Sequence, residues 1–171
     1  GMVVQGMEDT LSVTLEDMIY HGRCVERGLK QAHLTVDLPF MTYQVSPAQA
    51  LESAGRLVKE GRAQSVKLEG GMRSVPAVQL IVDAGIPVVG HIGLTPQSVL
   101  SMGYAVQGKA AEQAKRLVEE ARVLDEAAGS DRQRRAALSL DESSTGEKQQ
   151  QLFLLGGRSM GGSPVAWGVD R

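Results

Sequence analysis

Apolar positions along the chain fall alternately into helical stripes and short continuous runs. Leu15, Met18, Ile19, Gly22 and Val25 recur at helical spacing behind Thr14-Leu15-Glu16-Asp17, a capping-box start, and the stripe ends at Gly28. HLTVDLPF (33–40) is rich in strand formers and stops at Pro39, which predicts a strand entering a loop. Ser46-Pro47-Ala48-Gln49 offers a helix cap with proline in the first turn, and Ala50, Leu51, Ala54, Leu57 and Val58 carry one face on to Gly61. SVKLEGG (65–71) is the next strand, Val75 to Ala84 the next helix, and IPVVGHIGL (86–94) a further strand. Thr95-Pro96-Gln97 begins a short helical turn, and Ala110 to Ala128 is a long amphipathic helix closed by Gly129.

Strand and helix therefore alternate, which predicts an α/β fold built of βαβ units around a parallel sheet. In such folds ligands gather outside the carboxyl ends of the strands, and in (β/α)8 barrels that face carries the chemistry. Three predicted strand ends present Asp37, the pair Lys67 and Glu69, and His91. A strand repeats every two residues, so Lys67 and Glu69 share a face and can point into one site. Asp37 and Glu69, on neighbouring strands, suit a hard divalent cation such as Mg²⁺, which takes one or two carboxylates and keeps its other positions for water and substrate. Lys67 then holds the anionic end of a substrate chelated to that metal. Spacing alone equally allows a Lys67–Glu69 ion pair at a loop mouth, Asp37 as a helix or turn cap, and His91 as a satisfied structural histidine.

Composition narrows the class without choosing among these. With 171 residues, 42% of them hydrophobic and 22% charged, the chain has the length and make-up of one globular domain. A net charge of −2 gives no electrostatic footprint for nucleic acid or an anionic membrane. No apolar run approaches the roughly 20 residues of a membrane span, and GMVVQGMEDT has no basic-then-apolar leader pattern. The single cysteine, Cys24, excludes an internal disulfide framework and a cysteine-based metal cluster, points to a reducing compartment and, within a helical pattern, reads as packing or surface filler.

Five strings, in order and at these intervals, resemble the ketopantoate hydroxymethyltransferase family: VTLEDMIYHGRCVERG, VDLPFMTYQVSPAQAL, VKLEGG, GIPVVGHIGLTPQSV and GYAVQGK. The resemblance covers about residues 1–128. It implies a (β/α)8 TIM barrel, here partial, assembled in the intact family as a homo-oligomeric decamer of two pentameric rings. It also implies an Mg²⁺-dependent transferase of pantothenate biosynthesis that moves the one-carbon unit of 5,10-methylenetetrahydrofolate to 3-methyl-2-oxobutanoate, giving 2-dehydropantoate. Carried onto this chain, Asp37 and Glu69 belong to the metal site, Lys67 contacts the keto acid, and His91 lies in the substrate pocket. Chelation draws charge toward the keto acid's carbonyl and acidifies the neighbouring C–H, so a carboxylate base forms an enolate that attacks the methylene carbon.

Departures from the family pattern carry their own expectations. The resemblance implies a Gly-Asp-Ser string before GMVVQG, supplying a metal-site aspartate and a serine for the keto acid, and an LECVP-like string after the long helix, supplying the glutamate base. Neither stands in this sequence, and Ala105 replaces a usual basic residue in GYAVQGK. Three complete strands and the remnant of another at the N-terminus leave a sheet that does not close alone, with apolar faces exposed. Residues 129–171 match no later barrel strand. They combine a basic cluster (Arg132, Arg134, Arg135), a polar run from Glu147 to Gln151, an isolated LFLL and a terminal Trp167, which reads as a flexible, non-family tail or as translation outside the true frame, with a partner-binding tail as the alternative. The chain alone is accordingly expected to be inactive. The competing expectations are a catalytically dead subunit docked on full-length homologues, and another Mg²⁺-enolate barrel of the isocitrate lyase and phosphoenolpyruvate mutase type. Cytoplasm is the expected compartment, with a mitochondrial location open to a eukaryotic chain.

Overall fold

A computed structural model describes residues 1–102, 107–108, 110–128, 137–141 and 151–154. The capping box forms as expected: the Thr14 side chain accepts from the Asp17 N–H at 3.1 Å, the Thr14 N–H donates to Asp17 Oδ2 at 2.9 Å, and helix α2 (Leu15–Gly28) follows. Ser46 caps α3 (Pro47–Lys59) by accepting from the Gln49 N–H at 3.1 Å. Helix α4 (Val75–Asp83) is entered through a short 3₁₀ turn, Met72–Ser74, and α6 (Ala111–Ala127) is the long predicted helix. A second 3₁₀ turn at Pro96–Ser98 leads into the one-turn α5 (Val99–Met102).

Between the helices run β1 (Thr35–Asp37), β2 (Ser65–Glu69) and β3 (Val88–Ile92), all parallel and paired in that order. The expected mixed α/β architecture with a parallel sheet is therefore present. Val36, Leu38, Val66, Leu68, Val88 and Ile92 join Leu15, Ile19, Ala54, Leu57, Val78, Ile81 and Leu124 in one buried core beneath the helices. The period of two sends Asp37, Lys67, Glu69, Val89 and His91 to the opposite face. β2 and β3 are buried along their whole length, as strands covered on both sides must be.

Two segments differ from expectation. At the N-terminus, where a strand remnant was expected, Met2–Gln5 form the single helical turn α1, in which the Gln5 and Met7 N–H groups both donate to the Gly1 carbonyl. Gly6, at φ 68°, ends the turn in the left-handed conformation. The turn makes these backbone bonds without any strand partner, and Val3 and Val4 stay exposed on it. Within the expected flexible tail, β4 (Ala137–Asp141) continues the sheet parallel to β3, and β5 (Gln151–Leu154) pairs antiparallel with β4. The antiparallel β5 departs from an all-parallel barrel. The rest of 129–171 lies outside the described residues, and so does Ala105.

Gly22 of α2 packs against Gly61, just beyond the end of α3. A Cβ on Gly22 would meet the Gly61 carbonyl oxygen at 2.5 Å, and one on Gly61 would meet the Leu57 carbonyl oxygen at 2.7 Å. Gly28, in contrast, has open space where its Cβ would stand. Urea unfolding of the 171-residue chain is expected to show Gly22→Ala destabilising by about 1–3 kcal/mol through backbone overpacking. Gly28→Ala is expected to be neutral or stabilising by at most about 1 kcal/mol.

At the amino-terminal end of the sheet His33 Nε2 lies 3.0 Å from Ser65 Oγ, which lies 2.7 Å from Thr35 Oγ1. Burial lowers the His33 pKa, because desolvation disfavours the imidazolium. The unfolded chain then binds this proton more readily than the native one. The contribution is present above the ordinary histidine pKa of about 6.5 and is lost as pH falls through the lower native value. Unfolding free energies measured from pH 8 down to pH 5 should fall more steeply for the wild type than for His33→Gln; parallel curves would contradict this.

Candidate functional site

Register, rather than sequence distance, decides which charged groups meet. β1 and β2 place Asp37 directly opposite Lys67, and β2 and β3 place Glu69 directly opposite His91. Lys67 Nζ lies 2.8 Å from Asp37 Oδ2, with the lysine side chain 11% and the aspartate side chain 46% exposed. The pair suggested by spacing, Lys67 with Glu69, is replaced by this cross-strand one. Residues two apart on a strand are separated by about 6.5 Å, whereas adjacent strands lie about 4.8 Å apart, so the neighbouring strand offers the nearer carboxylate.

Glu69 is buried, and each part of it is held differently. Its Oε2 accepts from the Gln97 N–H at 2.9 Å, its carbonyl accepts from Ser74 Oγ at 2.9 Å, and its own N–H donates to the Tyr43 hydroxyl at 3.1 Å. Its Oε1 lies 3.4 Å from His91 Nδ1. His91 is 1% exposed, and among the described residues neither ring nitrogen has a hydrogen-bond partner, so the Oε1 contact is close without being aligned for a bond. Two unsatisfied nitrogens in one buried ring are costly and rare in a settled core. Among the described residues, the hydrogen bonds expected of a satisfied structural histidine are not found at His91.

The Tyr43 hydroxyl donates to Gln97 Oε1 at 2.8 Å, and Gln97 Nε2 donates to the Leu38 carbonyl at 2.8 Å. Burial is the main cause pushing the Tyr43 phenol well above its ordinary pKa, so it remains a neutral donor. A cleft of about 520 Å³ opens beside Glu69, bordered by Phe40, Tyr43, Arg73, Gln97 and Leu100. A second, of about 360 Å³, lies between the Gly70-Gly71 turn, Gly93 and α6.

Asp37, Lys67, Glu69 and His91 thus stand on one face of three adjacent strands, as two cross-strand pairs. Among the described residues no group of three or more His, Cys, Asp or Glu side chains converges as a metal-holding set. The two carboxylates are hard oxygen donors of the kind and number Mg²⁺ accepts from protein, and the orphaned nitrogens of His91 call for a polar guest beside them. The donor set fits such a cation as part of a shell. Periodicity did not point to Tyr43 and Gln97 as site residues; their only signal was Pro96, which opens a helical turn at Gln97 and leaves its N–H without an intrahelical acceptor.

Comparison with known proteins agrees in extent with the site-bearing part of the chain. The family model described as ketopantoate hydroxymethyltransferase matches residues 1–130. Proteins named 3-methyl-2-oxobutanoate hydroxymethyltransferase from Thermoanaerobacter sp. (strain X514), Oleidesulfovibrio alaskensis and Syntrophotalea carbinolica are 55%, 56% and 56% identical over 128 residues. Those residues are 74% of this chain and 47%, 44% and 48% of the respective relatives. The chain spans about half the length of the curated relatives it matches. No helix among the described residues is long and apolar enough to cross a membrane.

If His91 contributes no internal hydrogen bond, replacing it by a similar-sized apolar group removes little. Chemical denaturation should place His91→Leu within about 1 kcal/mol of the wild type, whereas Leu68→Ala in the adjoining core should lose about 2–5 kcal/mol. Equal losses in the two variants would show that the imidazole is an ordinary core component.

Proposed function

Because the chain belongs to the ketopantoate hydroxymethyltransferase family, we propose that residues 1–128 form the part of a (β/α)8 barrel that holds 3-methyl-2-oxobutanoate for hydroxymethylation by 5,10-methylenetetrahydrofolate in pantothenate biosynthesis. The observation that carries this reading is the placing of Asp37, Lys67, Glu69 and His91 on one face at the carboxyl ends of three parallel strands.

In this reading Asp37 and Glu69 are the protein's oxygen donors to Mg²⁺. The bound ion supplies Lewis-acid polarisation of the keto acid's carbonyl. Lys67, poised beside Asp37, offers its ammonium to the substrate carboxylate and so fixes which end of the keto acid faces the strands. His91 meets a substrate oxygen with a ring nitrogen that has no partner among the described residues, so binding gives that nitrogen a hydrogen bond. Glu69, locked by the Gln97 N–H and buried, presents its charge without having to reorganise. The cleft beside Glu69 is within the usual range for a drug-sized ligand and is the entry we assign to the folate donor. The remaining site groups and the base come from outside these residues, so the 171-residue chain alone is expected to turn over little or nothing. We assign the reaction to the cytoplasm and to a homo-oligomeric barrel.

The test is a chimaera in which residues 1–128 replace the matching segment of the Thermoanaerobacter relative. Mg²⁺-dependent formation of 2-dehydropantoate is expected from the chimaera, and only a trace from the 171-residue chain. Lys67→Ala and Glu69→Gln in the chimaera should each lower kcat/KM by about 10²–10³. Turnover indifferent to both substitutions would remove these residues from the site, and full activity of the 171-residue chain would overturn its dependence on outside groups.

A further inference from the structure

One residue, Gln97, ties the ends of three strands together. Gln97, in the turn after β3, uses its backbone N–H on Glu69 Oε2, its Oε1 on the Tyr43 hydroxyl and its Nε2 on the Leu38 carbonyl. Tyr43 and Leu38 belong to the loop after β1, and Glu69 ends β2. The circuit closes because the same Tyr43 hydroxyl accepts the Glu69 N–H at 3.1 Å. We propose that Gln97 and Tyr43 are positioning residues, which fix the Glu69 carboxylate at its place beside His91 and hold it ready for a divalent cation. This rests on the reading of Glu69 as a metal-site residue.

The chemistry of each member is restrictive. The Leu38 carbonyl only accepts, and the Tyr43 phenol is already accepting from Glu69, so it has its proton to give to Gln97. Residue 97 must therefore donate at one end and accept at the other, which an amide does and a carboxylate does not. Glutamate there would lose the donor to Leu38 and bring a second negative charge toward Glu69. Phenylalanine at 43 would leave the Glu69 N–H and Gln97 Oε1 without this partner. A glutamate side chain has three rotatable bonds, and the observed anchors act on both its backbone and its carboxylate, which is what sets Oε1 at 3.4 Å from the His91 ring. Partners of this outer kind typically govern metal affinity by about 10- to 100-fold although they never touch the ion.

Two measurements on the 171-residue chain, its Gln97→Ala and Tyr43→Phe variants and the double variant test this without turnover. Amide hydrogen exchange resolved by NMR should be at least about 10-fold faster at Glu69 in Tyr43→Phe and at residue 97 in Gln97→Ala, with α3 and α4 unchanged. Mn²⁺ binding followed by electron paramagnetic resonance, with Mn²⁺ standing in for Mg²⁺, should weaken about 10- to 100-fold in each variant. The double variant should be no weaker than the weaker single, since the two residues act as one unit. Exchange unchanged in both singles overturns the proposal, as does unaltered Mn²⁺ affinity in variants whose exchange has quickened. If neither the 171-residue chain nor the chimaera that supplies the outside site groups takes up Mn²⁺, the metal reading of Glu69 fails, and exchange alone then decides whether Gln97 and Tyr43 position its carboxylate.

Discussion

A charge buried at the end of a strand needs a partner on the neighbouring strand, and the parallel register of β1, β2 and β3 provides one in each direction. Asp37 stands opposite Lys67, and Glu69 stands opposite His91. A slip of one residue would turn Val66 and Leu68 to this face and drive Lys67 and Glu69 beneath the helices, where the core is apolar. The same register therefore segregates the core and assembles the site. Neither can be altered without the other.

Much of this was legible in the sequence where the physics is local. Thr14 and Asp17, and Ser46 with Pro47, announced their helices because caps depend on a few neighbouring backbone groups. Asp37, Lys67, Glu69 and His91 were legible as strand-end residues because a strand's two faces alternate by residue number alone. The pairing of Lys67 was not legible, since it depends on which strand lies alongside and in what register. Met2–Gln5 misled for a related reason. The barrel resemblance implied a strand remnant there, yet a strand needs a neighbour, and this backbone finds its bonds within a single turn. β5 was hidden in a polar stretch, with only LFLL as a local signal.

Tyr43 and Gln97 illustrate a deeper limit. They are far apart in the chain and meet only because the loops after β1 and β3 converge above Glu69. Nothing in the periodicity of either loop reports that convergence. What the sequence does contain is the orphan N–H at the start of a helical turn behind Pro96, a donor that must go somewhere, and the Glu69 carboxylate is where it goes.

The site is also where the chain accepts a cost. Glu69 is satisfied at its carbonyl, its N–H and Oε2, while the buried His91 beside it has two nitrogens without partners among the described residues. A residue selected only for folding would be apolar at that position, as Val88 and Ile92 are on the other face of β3. Glu69 is thus tethered at three atoms, whereas the buried imidazole beside its Oε1 is held by packing alone among the described residues. In the proposed reading, a substrate oxygen that reaches this ring recovers part of the hydrogen bonding that folding leaves unrealised, less the cost of its own desolvation and ordering, while the tethered Glu69 beside it stays in place.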